Sequence, residues 1–184
     1  MRDLQARVVD HVRAEKEDID VDGTRVIDAV AGGVEFGGAG AAEAALAMLD
    51  EAFGTGYNCL SSIIETPSWG FEAPDFLNCA VMYALPRKRV GAEAQVLEVL
   101  DTVKAVERRL GRAGAPEFDA SGHRIYHSRP IDIDILFFGT HVIDHPRLQV
   151  PHPLIAERDF VLIPLGEIAN QRLRRAFPAL FKRK

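Results

Sequence analysis

The sequence predicts an α+β domain whose elements run strand, helix, strand, strand, helix, strand. Three observations carry that prediction. Residues 128–138, Ser-Arg-Pro-Ile-Asp-Ile-Asp-Ile-Leu-Phe-Phe, alternate with period two through their middle, as a strand buried on one face does. Residues 92–110 place Val96, Leu100, Val103 and Leu110 on one helical stripe and meet a stop at Gly111. Two further apolar runs, 57–66 and 76–85, are parted by Pro67 and a turn-rich stretch.

Taken in order, residues 3–16 form a short charged helix and 17–23 a turn or short exposed strand. Arg25–Val30 reads as a strand ending in Ala31-Gly32-Gly33. Gly37, Gly38 and Gly40 precede an Ala/Leu-rich helix over Ala41–Phe53. Tyr57–Thr66 is a strand ended by Pro67, which has no N–H to offer a sheet. After a loop over Trp69–Asp75, a strand runs from Phe76 to Leu85, followed by the helix 92–110. Residues 111–129, with Gly111, Gly114, Pro116 and Gly122, form a mobile loop. The strand with the two aspartates follows, then an edge segment near Val142 and helical pieces at Pro153–Glu157 and Ile163–Ala169. This order is that of the split βαβ, ferredoxin-like sandwich. The expected organisation is an extension over 1–23, one domain over 24–170 and a basic tail over 171–184.

The 184 residues are enough for one domain with a sizeable core. A hydrophobic share of 47% beside 27% charged residues is that of an ordinary soluble protein. No apolar run approaches the ~20 residues that span a bilayer, and the first residues lack a signal peptide's apolar centre. Cys59 and Cys79 make neither a metal-ligand spacing nor a disulfide framework, so a reduced, cytoplasmic setting is expected. The net charge of −5 is uneven: residues 171–184 hold six Lys or Arg and no acid, leaving 16 basic against 27 acidic residues before them. An acidic body argues against a nucleic-acid surface, and the basic tail is expected to be solvated. Neither a nucleic acid nor a membrane is an expected partner.

On a period-two strand Asp132 and Asp134 share a face, about 6.5–7 Å apart at the backbone. Ile131, Ile133, Ile135 and Phe137 take the other face and meet a core. Two carboxylates this close in an apolar strand are costly unless a positive group stands between them. Mg²⁺ is suited to that place, because it takes one or two carboxylates and fills its sphere with water and phosphate oxygens. The alternative is an edge strand with its polar face in water. Basic groups flank the pair: Arg108, Arg109 and Arg112 at the helix end, His123, Arg124, His127 and Arg129 in the loop, and Arg147, His152 and Arg158 beyond the strand. A guanidinium fork matches phosphate oxygens, so the grouping points to a polyphosphate. Glu107 falls on the apolar stripe of the helix. It either reaches solvent from the flank or enters a polar pocket at the helix end.

Five stretches then stand in order: Glu65-Thr-Pro-Ser-Trp-Gly-Phe71, Asp75-Phe-Leu-Asn-Cys-Ala-Val81, Val106-Glu-Arg-Arg-Leu-Gly-Arg112, Arg129 with Asp132-Ile-Asp134, and Val150-Pro-His-Pro153 leading to Arg158-Asp-Phe-Val-Leu162 and Pro164-Leu-Gly-Glu-Ile-Ala169. Over residues 57 to 169 the chain closely resembles the 6-hydroxymethyl-7,8-dihydropterin pyrophosphokinase family of folate biosynthesis. The resemblance implies transfer of pyrophosphate from ATP to the pterin's hydroxymethyl group, leaving AMP. It implies two Mg²⁺ ions on Asp132 and Asp134, with Arg112 and Arg129 as further catalytic groups and ATP as co-substrate. The nucleotide is assigned to Glu107, Ile135, Arg147, His152 and Arg158. The pterin is assigned to Thr66, Pro67, Phe76, Asn78 and Phe160, the last stacking on its ring.

The family's first strand ends in a Gly-Ser-Asn-Leu-Gly type of turn, which falls here on Gly33-Val34-Glu35-Phe36-Gly37. Val34 and Glu35 replace its two polar residues, and Glu35 adds negative charge beside a polyphosphate site. A second reading follows from that departure: a catalytically weak relative that binds pterin or nucleotide and serves in assembly beside another folate-pathway enzyme.

Overall fold

β4 (Phe76–Leu85) is the spine of the molecule, buried at every residue except Ala84. A ten-residue run with a single polar side chain can be covered on both faces only in the interior of a sheet. β1 (Ile27–Phe36) pairs along one edge of it, and the short β2 (Cys59–Leu60) and β3 (Ile64–Thr66) share the other. β7 (Ile131–Ile135) adds to the far side of β1, closing a five-stranded sheet in which every pairing is antiparallel. The computed structural model describes residues 27–36, 39–66, 76–111, 117–118, 124–125 and 131–182, with the backbone alone at 27–36, 39, 117–118 and 124–125. Two hairpins stand apart from the sheet: β5 (Glu117–Phe118) with β6 (Arg124–Ile125), and β8 (Ile143–His145) with β9 (Leu148–Val150). The helices are α1 (Ala39–Phe53), α2 (Ala92–Arg109), α3 (Asp159–Ile168) and α4 (Gln171–Ala176), with a 3₁₀ turn at Ile155–Glu157. The class is α+β, as the pattern of the sequence predicts. No helix among the described residues is long and apolar enough to cross a membrane.

Strand alternation gives the two sheet faces different partners. Leu77, Cys79, Val81, Tyr83 and Leu85 of β4 join Ile131, Ile133 and Ile135 of β7 in one core, closed by α1 and α2. Ala80 and Met82 look the other way, into a second cluster with Val161, Leu165 and Ile168 of α3 and Leu173 of α4. Further along this second face the residues turn polar. Register sets Asn78, Glu35 and Asp132 in one row across β4, β1 and β7, and Ala80, Gly33 and Asp134 in the next.

Several elements differ from the sequence reading. β1 does not stop at its glycines; it continues to Phe36, with a register irregularity between Ala29 and Gly32. Glycine inside a strand marks a bulge as readily as an end; Gly33–Phe36, the first four positions of the expected turn, are strand residues, and Gly37 lies outside the described residues. The expected strand 57–66 is two short ones, parted at Ser61, whose N–H still donates to the Ala80 carbonyl at 2.9 Å but whose hydroxyl, in place of its carbonyl, accepts the Ala80 N–H at 2.8 Å. Phe137, expected beside Ile135, packs in the second cluster against Phe177, centroids 5.2 Å apart, while Phe138 enters the first. β7 has ended at Ile135 and the chain turns at Gly139, φ 55°, so the period of two no longer applies. Val142 precedes a hairpin, and α3 begins at Asp159 rather than Ile163.

The expected free tail is partly folded. Asn170 caps α4, its Oδ1 accepting the Leu173 N–H at 2.8 Å. Phe177, Leu180 and Phe181 then pack on the second cluster, and the Arg174 guanidinium lies 5.1 Å over the Phe181 ring. Aromatic residues between the cations are what draw this basic segment onto the body. The expected helix 3–16 and segment 17–23 lie outside the described residues.

Candidate active site

Asp132 and Asp134 leave β7 on the face opposite the three buried isoleucines, at the edge of the sheet. Burial holds the Asp134 carboxyl above its ordinary range, and the charge of Asp132 pushes it further; His152, Lys104 and Arg158 only partly oppose them. Arg158 Nη1 is 3.7 Å from Asp134 Oδ2, both side chains about one-third exposed. Arg158 sits at the start of α3, where its carbonyl accepts the Val161 and Leu162 N–H groups at 2.9 Å, so a helix end aims it at the aspartate.

His152 follows β9 and is tied to the strand exit, its N–H donating to the Leu136 carbonyl at 2.9 Å. Its Nδ1 accepts the Leu154 N–H at 3.2 Å, so the neutral ring carries its proton on Nε2. Burial lowers the imidazole's proton affinity and Arg158 adds to that, against the pull of Asp134 and Asp132. The result is a neutral donor beside two cation-demanding carboxylates.

The residue pair fits Mg²⁺. Two hard oxygen donors two positions apart on one strand, one of them disfavoured as an anion by burial first and by its neighbour second, would be relieved by a divalent cation. Gly33, a position that carries no side chain of its own, stands in register with Asp134.

Glu107 takes a place that the helical stripe alone could not specify. It is 1% exposed; its Oε1 accepts the Ile133 N–H at 2.8 Å, and its Oε2 lies 2.9 Å from Lys104 Nζ. Ile133 is the residue between the two aspartates. Lys104 was not among the residues singled out from sequence, although its spacing of three from Glu107 was a usable signal.

On the neighbouring strands Asn78 Nδ2 donates to Thr66 Oγ1 at 2.8 Å, and Asn78 is buried with Phe76 beside it. Phe160, on α3, is partly buried against the second cluster, with the Arg158 guanidinium 5.7 Å from its ring centroid. Ile135 points its side chain into the first core, so only its backbone is on offer to a ligand. Arg147 is ion-paired with Asp101 on the exposed side of α2. Pro67, Arg112 and Arg129 lie outside the described residues. Glu167, part of the Pro164–Ala169 stretch but without a role assigned from sequence, accepts both the N–H and the hydroxyl of Ser62, at 2.7 and 2.5 Å, tying α3 to the β2–β3 segment. Cys79 is a core residue, and its burial pushes the thiol up to about 12.

A model of the family described as 7,8-dihydro-6-hydroxymethylpterin-pyrophosphokinase matches residues 33–170. The chain belongs to that family. It is an ATP-dependent pyrophosphokinase of folate biosynthesis, passing pyrophosphate from ATP to hydroxymethyldihydropterin. A Porphyromonas gingivalis protein named 2-amino-4-hydroxy-6-hydroxymethyldihydropteridine pyrophosphokinase is 39% identical over 128 residues, 68% of this chain and 78% of the relative. A Bacillus subtilis protein of the same name is 34% identical over 128 residues, covering 69% and 68%. A folate synthesis bifunctional protein of Arabidopsis thaliana is 37% identical over 97 residues, 53% of this chain but 17% of that much longer protein.

Proposed function

We propose that the polar row on the second sheet face is the centre of this pyrophosphokinase. Asp132 and Asp134 hold two Mg²⁺ ions, and Arg158, His152, Arg129 and Arg112 contact the ATP phosphates. Bound there, the metals supply charge neutralisation and in-line alignment for the transfer. The chain's own groups do the rest. Arg158, which offsets Asp134 in the free protein at 3.7 Å, offers its fork to phosphate oxygens once the carboxylate has another counter-charge. His152, protonated on Nε2, donates a hydrogen bond without adding charge. Asn78, its amide rotation set by Thr66, reads the hydrogen-bonding edge of the pterin; Phe160 covers the flat ring, with Phe76 and Pro67 lining its pocket. Ile135 meets the nucleotide through its backbone, and Arg147 does so after leaving Asp101. Glu107 borders the nucleotide pocket.

The observation that carries the reading is the aspartate pair facing the same side as Asn78, with Arg158 already on Asp134. The strand order β2-β4-β1-β7, antiparallel throughout with α1 and α2 on one face, supports the ferredoxin-like plan. We read residues 24–170 as the catalytic domain, 1–23 as an extension, and 171–184 as a basic segment, in a cytoplasmic protein. The long Arabidopsis relative, bifunctional by name, supports another folate-pathway enzyme as a partner.

The weak-relative reading draws on Glu35, in register with Asp132 and so a second acidic position in that row, one row from Asp134. AMP formation from ATP and hydroxymethyldihydropterin, followed against Mg²⁺, decides between them. Robust turnover that Asp132→Ala abolishes supports the enzyme; binding of both substrates with negligible turnover supports the weak relative.

A further inference from the structure

Glu107 is a carboxylate at 1% exposure on the first-core side of the sheet, where burial of a charge is costly unless it is both paired and hydrogen-bonded. Its Oε1 accepts the Ile133 N–H at 2.8 Å, and its Oε2 lies 2.9 Å from the Lys104 Nζ cation. β7 is five residues long and, among the described residues, pairs with β1 alone in the sheet. Its outer N–H could be satisfied by water or by a neutral side chain. A carboxylate instead makes a stronger, more directional bond, and makes it at the peptide that separates Asp132 from Asp134. We propose that Glu107 is a positioning residue for the reaction: anchored in α2, its carboxylate clamps the β7 backbone at Ile133, while Lys104 brings a cation to the same edge. β1 sets one side of the strand by register and Glu107 sets the other. The spacing of the two aspartates is thereby fixed before ATP arrives. The charge of Lys104 also acts on Asp134, so the clamp and the carboxylate pair share one cation. Pre-organisation of this kind raises turnover and metal affinity rather than pterin affinity.

This inference rests on the reading of Asp132 and Asp134 as metal ligands, and the test separates the two. Wild type, Asp134→Ala, Glu107→Gln, Glu107→Asp and Glu107→Ala are compared in three ways: AMP formation, Mn²⁺ binding with a non-hydrolysable ATP analogue by electron paramagnetic resonance, and hydrogen exchange at the Ile133 amide. Glu107→Gln keeps an oxygen for Ile133 but loses the charge that faces Lys104, so it is expected to keep slow exchange at Ile133 while its kcat falls between those of wild type and Glu107→Ala. Glu107→Ala is expected to exchange faster at Ile133, lose at least about tenfold in kcat, and need about tenfold more Mn²⁺, with the pterin KM within about twofold. Glu107→Asp, too short to reach Ile133, is expected to follow the alanine variant and decides the matter if the alanine variant does not fold. Unchanged kcat and Mn²⁺ dependence in the aspartate or alanine variant overturns the clamp. So does a loss confined to ATP KM, which would mark a nucleotide contact. If Asp134→Ala itself turns over and binds Mn²⁺ like wild type, the metal reading fails, whatever Glu107 does.

Discussion

The two faces of the five-stranded sheet are made from the same strands and serve opposite ends. The face under α1 and α2 takes every odd residue of β4 and the three isoleucines of β7 into one core, apolar but for the Tyr83 hydroxyl, which donates to Asp50. The other face gives Ala80 and Met82 to α3 and α4 and then turns polar at Asn78, Asp132 and Asp134. Period-two strands let one segment do both: Ile131, Ile133 and Ile135 supply burial while the aspartates between them supply chemistry. Stability and activity should therefore be separable one residue at a time.

Asp134→Ala should reduce turnover by about a thousandfold or more, ~4 kcal/mol of transition-state stabilisation, as a rate assay at saturating Mg²⁺ would read. The protein should remain folded, since the lost group belongs to the polar face. A variant that unfolds would mean the polar row is also part of the scaffold, and the contrast between the faces would fail.

Leu49→Ala, on α1 at 2% exposure, probes the other face. It should cost about 2–5 kcal/mol in urea unfolding, through lost burial and the cavity left behind. Its kcat below the unfolding transition should stay near that of wild type. A large fall in kcat with intact folding would couple the apolar face to the chemistry.

The aspartate pair also sets a pH dependence. The folded-state proton affinity of Asp134 is raised above the ordinary carboxyl value of 3.8, by burial first and Asp132 second. Ionisation therefore penalises the native state, and the penalty grows as pH rises from 3.8 through the raised native value. Without metal or ATP, Asp134→Asn should be more stable than wild type at neutral pH, and the advantage should vanish as pH falls toward 3.8. Thermal unfolding across that range is the measurement; a constant difference would remove the electrostatic account.

The smallest effect belongs to the end of the second face. Asn170→Ala removes the cap of α4 and should cost about 1 kcal/mol, with turnover unchanged. A larger loss would make α4 a part of the core rather than its cover.

Much of this was legible in the residues. The bounds Phe76–Leu85 follow from an apolar run set between turn-rich stretches, and the structure gives the same strand. The helix read over 92–110 is α2, Ala92–Arg109. The shared face of Asp132 and Asp134 needs nothing beyond the strand period, and the motifs around them identify the family. What remained hidden depends on neighbours far along the chain. Glu107 on an apolar stripe has no single reading until β7, 26 residues on, presents the Ile133 N–H to it. Phe137 changes face because the strand ends two residues earlier, and the basic segment after Ala169 folds because Phe177 and Phe181 find Phe137. β1 runs through its glycines because β4 and β7 pair with it on both sides, a support that local propensity does not contain. Short-range periodicity is written into the chain itself, so it determined the elements and the aspartate pair. The partner of each buried polar group and the face each end-of-strand residue takes are set by long-range packing, and only the tertiary structure decided them.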